Sequence, residues 1–253
     1  MEQNNGMGLD ALTSPSDSRP LIFTIVGDGG IGKTTLGSLF PNPVFLRTED
    51  GTRSLRGRDD IALFPVAKTV SDIMSGIYTL CQTDHGFKTL IIDTVTQFNI
   101  MAEAEVVAAD GRAKSINQAA GGYGAGHAAV AAIHRELREA CGFLSETKGM
   151  HIVFLAHADI DTIDLPDQEQ FMRYTLRMNK RSLSSYIDNV DVVAYVKMKM
   201  YTTGDGDTKK ATTDGSRIVT CYPCPSHVSK NRLGIKEDLA FVEGVNPFAE
   251  YLS

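Results

Sequence analysis

The strongest constraint on the fold of this chain is a glycine-rich run that directly follows a short apolar segment. Residues 21–26 are apolar apart from one threonine, and residues 27–35 read Gly-Asp-Gly-Gly-Ile-Gly-Lys-Thr-Thr. This run fits the phosphate-binding loop pattern G-x-x-x-x-G-K-[ST] without a mismatch. The sequence therefore predicts a buried strand, a phosphate-binding loop and a helix, in that order.

Each residue type in this run has a physical role. A loop that wraps a polyphosphate turns its backbone N–H groups inward through conformations that side chains obstruct, so glycines permit it. We expect Lys33 to reach the β- and γ-phosphates of ATP and Thr34 to ligate Mg²⁺. The following helix would direct the positive end of its dipole at the anion. The predicted nucleotide-binding residues are Gly27, Asp28, Gly29, Gly30, Ile31, Gly32, Lys33, Thr34 and Thr35.

The length and composition favour one α/β domain. A chain of 253 residues can bury a sizeable core. We predict a flexible polar tail over residues 1–19 and one domain over residues 20–253. The sequence has no run of about 18 apolar residues to span a bilayer and no signal-peptide pattern at its start. We therefore expect a soluble, cytoplasmic protein with no membrane partner.

The four cysteines do not suggest a disulfide framework, because they are few and scattered, which agrees with a reducing compartment. Cys221 and Cys224 are separated by two residues, and His227 follows. These three side chains are potential metal ligands, but no second Cys-x-x-Cys pair accompanies them. The sequence leaves open whether they bind metal or are ordinary strand and turn residues.

Strands and helices alternate along the chain, which is typical of a mostly parallel, twisted sheet with helices on both faces. Predicted strands cover residues 21–26, 44–47, 61–66, 89–93 and 151–156. Predicted helices cover residues 33–40, 70–82 with Ser71 as the N-cap, 97–109 and 127–144. A long strand at 190–201, a turn at 204–207 and a returning strand at 217–222 predict a C-terminal β-hairpin extension.

Two stretches interrupt this pattern. Residues 121–126 contain four glycines and cannot hold a regular helix. Residues 157–167 also have no clear periodicity and are predicted to be irregular. Because loops on a rigid sheet often meet ligands, we interpret the glycine-rich stretch as a candidate binding loop.

Two acidic positions complete the predicted site. Residues 90–92 are apolar and lead to Asp93, which would bring a carboxylate to the Mg²⁺ shell at the end of a buried strand. Glu49 follows the strand at 44–47 and is the best-placed residue to orient or deprotonate an attacking water, with Asp50 as the fallback. The alternative is that Glu49 and Asp50 are solvated turn residues and that Asp93 only ends a strand.

The order of these motifs resembles that of the RecA-like ATPases, and within them the small phage RecA-like proteins of the Sak type, which act in single-strand annealing and recombination. Residues 27–35 are similar to the family's phosphate loop, Glu49 occupies its catalytic glutamate position, and Asp93-Thr94 resembles its Asp-Ser pair. His157 lies where the phage branch has a histidine that senses the γ-phosphate. The resemblance covers residues 21–252 and implies a RecA-like P-loop core with Mg²⁺-dependent ATPase activity.

The same resemblance implies partners. Lys230 and Arg232 are similar to the Lys-x-Arg finger that clock-type and phage RecA-like ATPases insert into a neighbouring subunit's site, which implies a homo-oligomer, either a ring or a filament. Without the resemblance these residues read as a solvated basic turn. The two interrupted stretches would contact single-stranded DNA, where cations hold phosphates and aromatic rings stack on bases. Residues of suitable type are Arg112, Lys114, Tyr123, Phe171, Arg173 and Arg177.

The expected function is ATP-dependent action on single-stranded DNA in phage recombination, annealing or replication, in the host cytoplasm. One alternative is a nucleotide-gated oligomerisation module with negligible hydrolysis. Another is a clock-type ATPase that remodels a protein partner. The net charge of −6 argues against coating nucleic acid by bulk electrostatics. It is compatible with weak DNA binding, or with binding that a single-strand-binding protein assists.

Overall fold

The structure is a computed structural model that describes Leu12, residues 19–203 and residues 210–252. Most of the predicted N-terminal tail (residues 1–11 and 13–18) lies outside the described residues. The predicted turn at 204–207 also lies outside them. Among the described helices, none is both long enough and apolar enough to cross a membrane.

The described residues form twelve strands and five α-helices. The strands are β1 (Ile22–Gly27), β2 (Pro43–Arg47), β3 (Ala62–Val66), β4 (Thr89–Asp93), β5 (His151–Leu165), β6 (Gln168–Leu176), β7 (Val192–Met198), β8 (Tyr201–Thr203), β9 (Lys210–Thr212), β10 (Arg217–Thr220), β11 (Lys230–Asn231) and β12 (Leu239–Phe241). The helices are α1 (Lys33–Gly37), α2 (Val70–Gln82), α3 (Val95–Ala109), α4 (Ala125–Lys148) and α5 (Lys180–Ile187).

Ten strands form one central sheet with the order β12-β10-β7-β1-β5-β4-β2-β3, to which β11 adds on β7 and β6 on β5. The strands from β7 to β3 along this order are parallel. β5 lies between β1 and β4, so that Gly27 pairs with His157 and Asp93 pairs with Leu155. The carboxyl ends of β1, β2 and β4 therefore meet at one edge of the sheet, together with His157 of β5.

Two apolar clusters cover the two faces of the sheet. One packs residues of α2, α3, α4 and α5 against the sheet, including Ile73, Phe98 and Leu137. The other packs Leu36 of α1 and Phe248 near the C-terminus against the opposite face. Central strands such as β7 are buried on both faces, which explains their continuous apolar sequence. This architecture confirms the predicted α/β class with a mostly parallel sheet flanked by helices.

The C-terminal extension is also present as antiparallel strands. β10 pairs antiparallel with β7, and β12 pairs antiparallel with β10. The predicted long strand at 190–201 is wrong in one respect, because it is divided into β7 and β8. β8 leaves the main sheet and, among the described strands, pairs with β9 alone.

Some predicted boundaries were wrong for local reasons. α2 covers 70–82 as expected, but Thr69 rather than Ser71 is its N-cap. The Thr69 hydroxyl accepts from the backbone N–H of Asp72, and the Asp72 carboxylate accepts from the N–H of Thr69, which forms a capping box. α1 ends at Gly37, because the next residues form tighter turns with three-residue spacing.

The prediction of an irregular stretch at 157–167 is wrong. β5 continues to Leu165, and β6 returns antiparallel to it, from Ala158 opposite Leu176 to Leu165 opposite Gln168. Pairing with β6 stabilises residues that show little periodicity by themselves, since each strand supplies the other's hydrogen-bond partners. α5, which follows this hairpin, was not predicted.

The glycine-rich loop at 110–124 is held by local hydrogen bonds. The Asp110 carboxylate accepts from the backbone N–H groups of Arg112 and Ala120. Gly121, Gly122 and Gly124 have positive φ angles, as the glycine pattern suggested. α4 begins at Ala125, two residues before the predicted start.

Candidate nucleotide-binding site

The predicted phosphate loop links β1 to α1 at the carboxyl edge of the sheet. Gly30 and Gly32 have φ angles of 77° and 105°, which only glycine adopts readily. Gly32 also lies against the guanidinium group of Arg217, so that a Cβ at this position would collide with it. The backbone geometry therefore requires glycine at position 32, and a Cβ there would also displace the Arg217 side chain.

Lys33 is buried beneath this loop. Its ammonium Nζ donates to the carbonyl oxygens of Gly27 and Asp28, each at 2.9 Å, and lies 3.4 Å from Nδ1 of His157. Burial lowers the pKa of Lys33, and nearby carboxylates partly counteract this shift. The loop thus surrounds one cation at the position where the sequence places a phosphate-binding lysine.

The Thr34 hydroxyl donates a hydrogen bond of 2.7 Å to Oδ2 of Asp93. Asp93 is only 3% exposed, and burial raises the pKa of its carboxyl, whereas the hydrogen bond from Thr34 lowers it. Gly51 lies beside this pair, since a Cβ there would be 3.8 Å from the Thr34 oxygen. A hydroxyl and a buried carboxylate beside a phosphate loop fit Mg²⁺, which prefers oxygen ligands and would compensate the buried charge.

Glu49 and His157 form a second polar pair in the same site. Nε2 of His157 lies 3.4 Å from Oε1 of Glu49. Because the Lys33 ammonium can only donate, we assign the proton of a neutral His157 to Nε2, which then donates to Glu49. This hydrogen bond is the largest cause of the lowered pKa of Glu49, and burial opposes it. Lys33, His157 and Glu49 thus form one connected chain.

Backbone and side-chain hydrogen bonds fix the strand ends that carry these groups. The N–H of Thr48 donates to the carbonyl of Asp93 at 2.8 Å. The Thr48 hydroxyl donates to the carbonyl of Thr94 at 2.9 Å and accepts from its N–H at 2.7 Å. The N–H of His157 donates to the Thr96 hydroxyl at 2.9 Å. These contacts join the ends of β2, β4 and β5.

Arg217 of β10 lies in the same site, although the sequence analysis did not include it among the site residues. Its Nη1 donates to the carbonyl of Ile31 at 3.1 Å, and its Cζ lies 4.2 Å from the centre of the Phe241 ring. Arg217, the phosphate loop, Glu49 and Asp93 line a cleft of about 370 Å³. A lone arginine at the start of a strand belongs to no motif, so only the antiparallel pairing with β7 places it here.

Lys230 and Arg232 are not in this cleft. Nζ of Lys230 donates to the carbonyls of Ile187 and Asp188, and Arg232 forms an ion pair of 3.2 Å with Asp191. Both head groups are held near the amino end of β7, because β11 pairs there. The phosphate loop lies at the carboxyl end of the neighbouring strand, so these cations are directed away from their own subunit's site.

The predicted DNA-binding residues lie in two regions. Arg112, Lys114 and Tyr123 are exposed in the 110–124 loop. Phe171 and Arg173 are half-buried in β6. None of these five is in the nucleotide cleft.

Arg177 lies closer to the nucleotide site than the other predicted DNA-binding residues. Its N–H donates to the carbonyl of His157 at 2.9 Å, and its Nη2 donates to the carbonyl of Ala158 at 3.0 Å. Its charge contributes to the lowered pKa of Lys33. Nη1 of Arg181, at the start of α5, donates to the carbonyl of Gly124 at 2.8 Å. The base of the β5–β6 hairpin therefore contacts the nucleotide site, and the start of α5, which follows it, contacts the glycine-rich loop.

The structure does not bring Cys221, Cys224 and His227 together as one group of three ligands. Cys221 is buried in an apolar cluster, whereas Sγ of Cys224 contacts Nδ1 of His227 at 3.1 Å. Within residues 19–203 and 210–252, no group of three or more His, Cys, Asp or Glu side chains is arranged to hold a metal ion.

A phosphate loop at the carboxyl edge of a parallel sheet, with β5 between its strand β1 and the Asp93 strand β4, is typical of the class of P-loop nucleotide-binding ATPases. The chain belongs to the AAA domain family, whose profile matches residues 19–233.

A comparison with curated proteins gave no match. Among solved structures, a crystal structure of the RadB recombinase is similar, with 12% identity, 88% of each chain covered and a TM-score of 0.49. The family supports nucleotide binding and the ATPase class. The roles of individual residues, the Sak type, DNA binding and oligomerisation stay predictions.

Proposed function

We propose that this protein is a Mg²⁺-dependent ATPase of the phage RecA-like, Sak type. It acts on single-stranded DNA in recombination, annealing or replication and works as a homo-oligomer. The observation that carries the ATPase assignment is the connected chain of Lys33, His157 and Glu49 beside the Thr34–Asp93 pair. A carboxylate, an imidazole and a cation at one phosphate loop supply the groups that hydrolysis requires.

In this proposal the chain's own residues divide the work. Lys33 and the loop N–H groups bind the β- and γ-phosphates of ATP. Thr34 and Asp93 would hold Mg²⁺, and the bound ion would neutralise part of the phosphate charge. Glu49 is ionised at neutral pH and orients the attacking water through its carboxylate.

His157 is suited to sense the γ-phosphate because it contacts both Lys33 and Glu49. A phosphate that attracts the Lys33 ammonium changes the hydrogen bond to Nδ1 of His157. The contact between Nε2 of His157 and the Glu49 carboxylate then changes as well. The backbone contact between Arg177 and His157 extends this connection to the β5–β6 hairpin.

Lys230 and Arg232 are proposed to act in trans. A cation from a neighbouring subunit would neutralise charge that develops on the transferred phosphoryl group, which makes turnover depend on assembly. The position of both residues at the amino end of β7, directed away from their own phosphate loop, supports this role.

Single-stranded DNA is the proposed partner of the outer surface formed by the 110–124 loop and the β5–β6 hairpin. Exposed Arg112, Lys114 and Tyr123 supply cations and an aromatic ring. The hydrogen bond from Arg181 to Gly124 connects the loop to α5, the helix that follows the hairpin. A contact made there could therefore affect the nucleotide site through Arg177.

The DNA role is tested by fluorescence anisotropy with labelled single-stranded DNA, at low and moderate salt, with and without a non-hydrolysable ATP analogue. We expect binding that weakens as salt increases and strengthens with the analogue. The absence of binding at low salt would contradict the DNA role and favour a clock-type ATPase with a protein partner.

The trans finger is tested by complementation between two inactive variants. Lys33→Ala has an inactive site but an intact finger, and Arg232→Ala has an intact site but no finger. A mixture should regain a substantial part of wild-type turnover, because Lys33→Ala subunits supply Arg232 to their neighbours. The matched control is a mixture of Arg232→Ala with the double variant, which should stay inactive. Wild-type turnover by Arg232→Ala alone would exclude the finger.

A further inference from the structure

A second cavity, of about 700 Å³, shares part of the phosphate loop with the nucleotide site. Residues 28–31 of the loop form one wall. Tyr174 of β6, Lys197 at the end of β7 and His227 contribute the other walls. A cavity of this volume can hold one nucleotide unit.

Three aromatic side chains form a row at this cavity. The Tyr174 and Tyr195 rings have centres 5.0 Å apart and are inclined by 25°, and the Tyr195 and His227 rings are 5.2 Å apart and inclined by 23°. Tyr195 and His227 are buried, whereas Tyr174 is 39% exposed. Planar ligands favour such rings because stacking requires no particular hydrogen-bond pattern.

The row is held in place and uncharged. The backbone of Tyr174 exchanges hydrogen bonds of 2.9 Å with Ser226 and Val228, which flank His227. Burial lowers the pKa of His227 to about 4, and the charge of Lys197 contributes to this shift. His227 is therefore neutral at neutral pH.

The polar groups of the cavity match a nucleotide rather than an apolar ligand. Lys197 supplies an ammonium group and Asp28 supplies a carboxylate. Burial and the Asp28 charge raise the pKa of Tyr195, so its hydroxyl stays protonated. Met198 and Met200, both partly exposed, provide adaptable apolar contacts.

We infer that this cavity binds one nucleotide unit, with the base against the aromatic row and the phosphate near Lys197. Asp28 accepts a hydrogen bond from the exocyclic amino group of cytosine, adenine or guanine, which thymine lacks. The unit comes either from single-stranded DNA or from a free mononucleotide. Binding of single-stranded DNA in this cavity rests on the proposed function, whereas binding of a free mononucleotide does not.

Occupancy of this cavity should be coupled to the nucleotide site. The carbonyl of Asp28 accepts from Lys33, and the carbonyl of Ile31 accepts from Arg217. A ligand that contacts residues 28–31 therefore contacts the backbone that positions both cations. Coupling between two binding sites is reciprocal, so ATP should change the affinity of this cavity by the same factor.

The test compares the binding of labelled oligo-dC and oligo-dT to the full chain and its variants by fluorescence anisotropy. Tyr174→Ala and Lys197→Gln change the cavity, whereas Tyr174→Phe keeps the aromatic ring. Tyr78→Ala is the matched control, because Tyr78 is exposed on α2 and outside the cavity. Unlabelled dCMP and dTMP are added as competitors in a second arm.

We expect oligo-dC to bind more tightly than oligo-dT. Tyr174→Ala should lose between about fivefold and a hundredfold in affinity for oligo-dC, the effect of removing one stacking ring. Tyr174→Phe and Tyr78→Ala should stay within about twofold of wild type. Competition by dCMP that disappears in Tyr174→Ala would identify a free mononucleotide as a ligand.

Two failures can be distinguished. If wild type binds DNA and Tyr174→Ala and Lys197→Gln bind equally well, the cavity assignment is wrong while the proposed function stands. If wild type binds no DNA, the proposed DNA role is wrong, and dCMP binding measured by calorimetry then decides the cavity. Absence of Tyr174-dependent dCMP binding in that case would overturn the inference as well.

Discussion

The nucleotide site and the outer surface of the loop and hairpin are built in different ways. Lys33 and Asp93 are 6% and 3% exposed, and each has defined hydrogen-bond partners at the strand ends. Tyr123 in the loop is fully exposed, and Met172 in the hairpin is 71% exposed. The nucleotide site, or inner region, thus depends on the backbone hydrogen bonds of the parallel sheet. The loop-and-hairpin surface, or outer region, depends on local turns and one hairpin.

This difference predicts that substitutions can separate the proposed ATP chemistry from the proposed DNA binding. Buried groups keep one geometry because moving them would break several hydrogen bonds at once. Exposed side chains can change partners at little cost in stability. We therefore expect inner substitutions to have large effects on turnover and outer substitutions to have small effects on affinity.

The largest effect should come from Lys33→Ala. Removal of the cation that donates to Gly27 and Asp28 should lower ATP turnover by about 1,000-fold, because a positioned charge at the phosphates is lost. ATP turnover and nucleotide affinity measure the effect. Lys236→Ala, an exposed lysine elsewhere, is the matched control and should behave as wild type. An active Lys33→Ala variant would mean that the inner site is not the catalytic site.

The next effect concerns the helices α3, α4 and α5, which pack on one face of the sheet. His134 of α4 donates from Nε2 to Asn99 of α3 at 3.0 Å and accepts from the Tyr186 hydroxyl of α5 at 2.6 Å. Burial lowers its pKa to about 4 from an ordinary value of 6.5. The unfolded state therefore binds more protons between these values, so stability is full above pH 6.5 and falls as pH decreases towards 4.

The expected loss of unfolding free energy between pH 7.5 and pH 4 is about 3 kcal/mol from His134 alone. Urea unfolding at several pH values measures it. His134→Gln keeps a donor for Asn99 but does not titrate, so its pH dependence should be flatter than that of wild type. Equal pH dependence of the two proteins would show that His134 is not a neutral link between the helices.

Glu49→Gln should reduce ATP turnover by about 100-fold and change ATP affinity by no more than about threefold, because the amide cannot accept a proton or orient water as a carboxylate does. Steady-state turnover and nucleotide titration separate the two quantities. Asp50→Asn is the matched control, since its side chain is 66% exposed. Loss of turnover in Asp50→Asn but not in Glu49→Gln would move the catalytic role to Asp50.

Arg217→Ala should weaken ATP binding by about tenfold, because one cation beside the phosphate loop is removed. Arg217→Lys keeps the charge but not the planar contact with Phe241, so an intermediate affinity is expected. Calorimetry measures both. Arg135→Ala is the control, as Arg135 is exposed on α4. Unchanged affinity in Arg217→Ala would restrict Arg217 to a structural role.

The smallest effect should come from the outer surface. The double variant Arg112→Ala and Lys114→Ala should weaken single-stranded DNA binding by about two- to threefold at moderate salt and reduce the salt dependence of binding. ATP turnover without DNA should not change. Anisotropy over a range of salt concentrations measures the effect. A loss of DNA affinity as large as the loss of turnover expected for a nucleotide-site variant would contradict the division between the two regions.

The sequence predicted the sheet well because each element carries its own signal. Residues 27–35 require one backbone path, and apolar runs such as 89–93 identify buried strands. Parallel strands then bring Glu49, Asp93 and His157 to one edge, although they are far apart in the chain.

Features that depend on which segments pair or pack with each other could not be predicted. The hairpin forms because residues 158–165 pair with β6, and the sequence of neither strand indicates which segment it pairs with. Arg217 enters the cleft only through the antiparallel pairing of β10 with β7. The aromatic row combines Tyr174, Tyr195 and His227 from three segments, and no local pattern connects them.

The most direct test of the central claim is ATP turnover by the purified protein, with and without single-stranded DNA, over a range of protein concentrations. We expect turnover to require Mg²⁺, to increase with DNA and to rise more than linearly with protein concentration, since each site needs a neighbour's cation. Tight ATP binding without turnover in all of these conditions would contradict the claim that the Lys33–His157–Glu49 site is a DNA-dependent ATPase.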